Sequence, residues 1–160
     1  MQMETSNRGN TLLWLLLTEG VGALAAALTR EGTRQYAALA EKPPLSPPSI
    51  VFVVVWILLY ALMGFSAARI ARCPPSRERR TALRLYLLQL GVNFLWSILF
   101  FNLRAYRFAF FWLILLWTLI VRMVLSFREL DRPAAYLQIP YLIWVLFAGY
   151  LNLGVWMMNR

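Results

Sequence analysis

Aromatic and amide side chains recur at helical spacing in three separate apolar stretches of this chain. Trp56, Tyr60 and Met63 fall on one face of the second stretch. Tyr86, Gln89, Asn93, Trp96 and Phe100 do so in the third, and Tyr141, Trp144, Ala148 and Asn152 in the fifth. Indole and phenol faces cover flat apolar molecules, while a few amides and ring N–H groups fix their orientation. The chemistry implied is capture of a flat hydrophobic ligand. The same side chains could equally pack helices together and hydrogen-bond between them, and both interpretations stay open for Trp96, Trp144, Gln89, Asn93 and Asn152. Reaction chemistry has less to work with. The chain has no histidine and one cysteine, Cys73, which removes the commonest general base and metal ligand and any internal disulfide. Neither a glycine-rich phosphate loop nor a nucleophile elbow is present. No catalytic residue is assigned, and no cofactor is required.

The elements that must position these groups are five apolar runs at 11–29, 50–68, 85–103, 108–127 and 134–158. A bilayer core about 30 Å thick needs roughly 20 mainly apolar residues per helix, and each run meets that length. Too few polar residues remain to wet a soluble surface. The expectation is an all-α membrane protein, one domain over 1–160, built as a bundle of five transmembrane helices. Depths along the helices can then be compared. At about 1.5 Å per residue from the edge nearest the first connection, Trp56, Trp96 and Asn152 lie about 9–10 Å down, and Tyr60, Asn93 and Ala148 about 15 Å down. Three helices thus bring aromatic and amide groups to one level beneath the connection at 30–48, which is rich in proline and would act as a lid. Residues 42–48 are expected to be extended and stiff, because proline fixes φ and lacks a donor. Pro140 lies inside the fifth run and should bend it or free a carbonyl for a polar partner.

The net charge of +9 is not a nucleic-acid signature, because Arg69, Arg72, Arg77, Arg79, Arg80 and Arg84 cluster in one connection between spans. Membrane proteins keep such anchors on the cytoplasmic side. The amino terminus with Arg8, the 69–84 connection and the 122–133 segment hold ten Lys and Arg; the opposite ends, with Arg160, hold six. In a bacterial cell membrane this places the amino terminus and the 69–84 connection inside. No cleavable signal is evident at the start. Glu19 is the one acid within a span; it is either functional or protonated and bonded to a backbone carbonyl. Gly22 with Ala26, and Ala23 with Ala27, permit close helix approach within the fold or between protomers. Trp14 and Trp156 suit interfacial anchors.

These residues resemble the translocator protein family, also called the tryptophan-rich sensory proteins or the peripheral-type benzodiazepine receptor family. Tyr36-Ala-Ala-Leu39, Lys42-Pro43 and Pro47-Pro48 are similar to its first-loop signature. Val51-Phe52, Trp56, Leu59-Tyr60 and Met63-Gly64 resemble its second helix. Gln89-Leu90, Asn93, Trp96 and Phe100-Phe101 resemble its third, and Pro140-Tyr141, Trp144, Phe147-Ala148 and Leu151-Asn152 its fifth. The resemblance implies a five-helix bundle, commonly a homodimer, binding tetrapyrroles such as protoporphyrin IX under the first loop. Trp56, Tyr60, Trp96, Trp144 and Ala148 would line the ligand, Asn93 and Asn152 would supply polar contacts, and Lys42 with Pro43 would sit in the lid, Lys42 near a propionate. The chain departs from the pattern at Gln35, where the family places tryptophan. The sterol-recognition pattern is incomplete, since the first basic residue after Tyr150 is Arg160, so a sterol partner is only weakly implied. Transport of porphyrins or other hydrophobic molecules, and light-dependent porphyrin breakdown, are the alternative functions.

Overall fold

A computed structural model describes residues 2–159, with side chains from Asn10 onward. The Arg8 and Arg160 charges and the amino-terminal signal question therefore lie outside the described side chains. The chain forms α1 (Gln2–Leu28), α2 (Arg30–Leu39), α3 (Ser49–Arg72), α4 (Arg77–Ser97) with a π turn (Ile98–Asn102), α5 (Tyr106–Leu130), α6 (Arg132–Leu137) and α7 (Ile139–Met158). Five helical stretches are long and apolar enough to cross a bilayer: Asn10–Leu28, Ser49–Arg72, Arg77–Asn102, Tyr106–Leu130 and Arg132–Met158. They contain the five sequence runs, apart from Thr29 and Leu103 at two ends, and most run further. Apolar counting stops at the first arginine, whereas the helix carries Arg69, Arg72 and Arg77 on into the interface.

The surface is inverted relative to a soluble protein. Leu13, Leu16, Ile57, Leu88 and Leu146 face outward, while Thr18, Ser66, Gln89, Asn93, Gln138 and Asn152 are buried. Such an arrangement suits hydrocarbon outside and hydrogen-bonded groups inside. All of these polar groups but the Gln138 amide, whose Nε2 and Oε1 are buried without a partner, pair across helices. The Thr18 and Tyr86 hydroxyls meet at 2.5 Å, the Tyr141 hydroxyl donates to Gln89 Oε1 at 2.8 Å, and Asn93 Nδ2 donates to the Tyr60 hydroxyl at 3.2 Å.

Packing runs as a ring: α1 on α3, α3 on α6, α6 and α7 on α5, α5 on α4, with α4 closing against α1 and α3. Glycines set the closest approach. A Cβ on Gly22 would stand 2.5 Å from Tyr60 Cε2, and one on Gly64 would stand 3.0 Å from Leu15 Cα. Gly22 therefore serves contact within the fold, whereas Ala23 and Ala27 face outward. Trp14 meets Tyr86 edge-on at 5.7 Å and packs into the bundle. The backbones of α3 and α7 scarcely meet. Aromatic pairs bridge them instead, Phe52 to Trp144 at 5.8 Å and Trp56 to Tyr141 at 6.2 Å.

The fifth span is broken in two. The Gln138 N–H turns to Ala135 O, and Ser66 Oγ then donates to Ala134 O at 2.7 Å. Pro140, near the start of α7, removes a further donor and fixes the restart. At the same edge Arg69 grips Asp131 through Nε at 2.8 Å and Nη2 at 3.2 Å.

Two features of the first connection correct the sequence expectation. Its first ten residues are not loop but helix α2, made of good helix formers with Gly32 buried beneath and Glu31, Arg34 and Gln35 outside. Residues 42–48 are not uniformly extended either. Pro43 O accepts from Ser46 N at 3.3 Å across Pro44 and Leu45, and Leu45 has φ 67°. That is a type II turn, with proline pre-set at its second position and positive φ at its third.

Candidate functional site

Between α2 and the turn above and the bundle below lies a cavity of about 120 Å³. Of the residues marked from sequence, Lys42, Trp96, Ala148 and Asn152 line it. Trp96 is held from two sides. Its Nε1 donates to Asn152 Oδ1 at 3.2 Å, and its ring stacks on Phe100 with centroids 5.1 Å apart. Asn152 in turn donates through Nδ2 to Tyr106 O at 2.8 Å, so its amide is used at both ends and cannot rotate.

The other marked residues sit elsewhere. Asn93 and Tyr60 bond to each other, with Trp56 packed 5.4 Å from the Tyr60 ring, in a layer outside the cavity lining. Trp144 is half-buried between Phe52 and Phe147, its Nε1 enclosed without a hydrogen-bond partner. Pro43 is buried against Gly154, where an added Cβ would come within 2.5 Å of the proline ring. The structure thus gathers one indole and one amide at the cavity. The remaining indoles and the second amide form the packed wall between α3, α4 and α7.

Tyr36, Phe52, Phe100 and Phe101, which are not among the ligand contacts expected from the sequence, also line the cavity. Phe100 and Phe101 are adjacent and both buried, and they lie in the π turn, where Leu103 N–H bonds five residues back to Ile98 O at 3.0 Å. Tyr36 rests edge-on against both, at 5.2 and 5.5 Å. Lys42 places Nζ 5.4 Å from the centre of the Tyr36 ring and donates to Ala37 O at 2.9 Å, so its charge is folded back over the lid helix.

The lid is strapped to the rim. Glu41 and Asn159 exchange two bonds, Glu41 N to Oδ1 at 2.9 Å and Nδ2 to Glu41 O at 2.8 Å. The Tyr150 hydroxyl donates to Pro44 O at 2.9 Å, and Arg104 bonds Gln35. Burial, with Tyr106 nearby, pushes the Tyr36 phenol from 10.0 up to about 12. Its contribution to lid closure is then fully present below pH 10 and is lost as pH rises from 10 towards 12. Amide exchange of α2 should be flat from pH 7 to 10, once corrected for intrinsic base catalysis, and should accelerate above it. A Tyr36→Phe protein should show no such break.

The cavity is small and only partly enclosed. Pockets that enclose drug-sized ligands span about 300–1,000 Å³, so a large flat ligand needs this cavity to widen. Among the described residues no group of three His, Cys, Asp or Glu could hold a metal ion. Glu19 is part-exposed on α1, and none of the described hydrogen bonds or ion pairs involves it.

Residues 14–157 match the model of the TspO/MBR family. The chain is 37% identical over 142 residues to a translocator protein of Bos taurus, covering 87% of this chain and 83% of that one. It is 32% identical over 140 residues to a tryptophan-rich protein TspO of Chlorobaculum tepidum, covering 87% and 89%. A tryptophan-rich sensory protein of Cereibacter sphaeroides is 35% identical over 119 residues, covering 74% and 73%.

Proposed function

The chain belongs to the TspO/MBR family of multi-pass membrane proteins, and on that premise we propose that it binds tetrapyrroles of the protoporphyrin IX type beneath its lid. The observation that carries this is the fixed indole of Trp96, facing an apolar cavity with an amide beside it and α2 above. A flat macrocycle would stack on Trp96 and Phe100, with α2 and the turn closed over its face. Its carboxylates would reach the rim, where Lys42 needs only to leave Ala37 O and the Tyr36 face to meet one. The lid side faces away from the arginine-rich connection, which the charge rule places in the cytoplasm.

Titration of the purified protein with protoporphyrin IX, followed by tryptophan quenching, tests this. Saturable quenching is expected, weakened about tenfold by Trp96→Leu, the equivalent of about 1.4 kcal/mol of stacking. Trp144→Phe, changing an indole outside the lining, should weaken it less. Absence of saturable quenching in the unaltered protein would overturn the proposal.

A further inference from the structure

A second concavity lies on the outer flank of the lid rim, where the bilayer interface meets the start of α5 and the end of α7. It is an open groove of about 530 Å³, and its wall includes Arg104, Tyr106, Arg107, Phe108, Phe111 and Trp156. Among the described residues no acidic side chain lines it. Phe108 and Phe111 are 54% and 55% exposed, and Trp156 lies tilted 6.3 Å from the Phe111 ring. The groove therefore has two parts, a cationic mouth at the level of the helix start and an aromatic slot running down α5 into the apolar zone.

Arg104 is already placed. It occupies the tight turn between the π turn and α5 with φ 50°, and its guanidinium is bonded to Gln35 of the lid helix. A guanidinium has five donors, so this bond leaves others for a second acceptor. Arg107 is exposed, and none of the described hydrogen bonds or ion pairs involves it. Two arginines at a membrane edge present paired donors to phosphate oxygens. The aromatic slot below matches an acyl chain and the glycerol region, where amphipathic rings concentrate.

We propose that this groove is a binding site for an anionic phospholipid of the surrounding bilayer, with its headgroup phosphate on Arg104 and Arg107 and one acyl chain along Phe111 and Trp156. A zwitterionic lipid offers the same phosphate but adds a cation beside the arginines, so the site discriminates by net headgroup charge. The proposal does not rest on a ligand under the lid, and the lipid measurement stands whether or not a porphyrin binds.

Native mass spectrometry of the detergent-purified protein, with phosphatidylglycerol and phosphatidylcholine of equal chain length in competition, tests the proposal. Retained lipid should be predominantly phosphatidylglycerol. Arg107→Gln should lower that preference about fivefold, and Arg104→Gln with Arg107→Gln about 25-fold. Arg107→Gln is the cleaner variant, because Arg104 also holds the lid. Arg80→Gln, at the opposite edge, should leave the preference unchanged, and inorganic phosphate should not displace the lipid. The proposal is overturned if Arg107→Gln changes the preference less than twofold, or if Arg80→Gln lowers it equally. Displacement by inorganic phosphate alone would also overturn it, making the groove a site for free anions.

Discussion

Gly32→Val should unseat the lid and weaken tetrapyrrole binding roughly 30- to 100-fold, more than any single change to an indole. Gly32 is where α2 rests on the bundle. A Cβ there would stand 2.5 Å from Phe101 O and 2.6 Å from Asn102 Oδ1. Neither obstacle can step aside cheaply. The first is backbone within the π turn, and the second belongs to an amide whose Nδ2 donates to Leu28 O at 3.0 Å. The helix must therefore move outward, which separates Tyr36 from Phe100 and Phe101 and opens the roof of the cavity. Overpacking of this kind costs about 1–3 kcal/mol, and its upper half corresponds to the stated loss of affinity. Because the damage is confined to the lid contact, the five spans should remain intact. Helical circular dichroism should be unchanged while amide exchange in α2 rises, and Gly32→Ala should shift both readouts in the same direction by less. Unchanged binding in the valine variant would mean that α2 is not the roof.

The sequence made the spans legible because a bilayer imposes length and apolarity on every helix that crosses it. It also made one contact of the site legible. Trp96 and Asn152, counted separately along two helices to the same depth of about 9–10 Å, are hydrogen-bonded at 3.2 Å. The same count set Asn93 and Ala148 level, but a common depth does not decide which groups turn to the cavity. Ala148 lines it and Asn93 does not. The lid was less legible, for a different physical reason. An isolated ten-residue helix such as α2 is marginal in water, and this one is held by the seat under Gly32 and by the bond from Arg104 to Gln35, neither of which is local. Leu45 at φ 67° and Arg104 at φ 50° adopt conformations that leucine and arginine do not advertise. The π turn at Ile98–Asn102 likewise had no local signature.

Asn152→Leu should destabilise the bundle by about 2–4 kcal/mol and should lower tetrapyrrole affinity even with the lid intact. The substitution keeps the branching of the side chain and removes its polar atoms, at a residue with 0% exposure. Two groups then lose a partner. The Trp96 N–H loses its acceptor, and a buried donor without one costs about 1–3 kcal/mol. Tyr106 O loses the Asn152 Nδ2 donor, a smaller penalty because a carbonyl tolerates under-satisfaction better than an N–H does. Polar pairs within membranes average less than this, about 0.6 kcal/mol, where the unfolded chain finds other partners. Asn152 exceeds that average because one amide serves two elements, fixing an indole on α4 and the first turn of α5 together. Asn93→Leu is the informative comparison. Asn93 is as deeply buried, yet it donates one bond, to the Tyr60 hydroxyl, and its Oδ1 has no partner to lose. Its stability loss should therefore be under half that of Asn152→Leu, with little change in porphyrin quenching. Steric-trapping unfolding in bicelles measures the first quantity and the titration measures the second. Equal losses in stability with no difference in quenching would reduce both amides to helix packing, and would leave Trp96 without the polar partner that makes it a binding group.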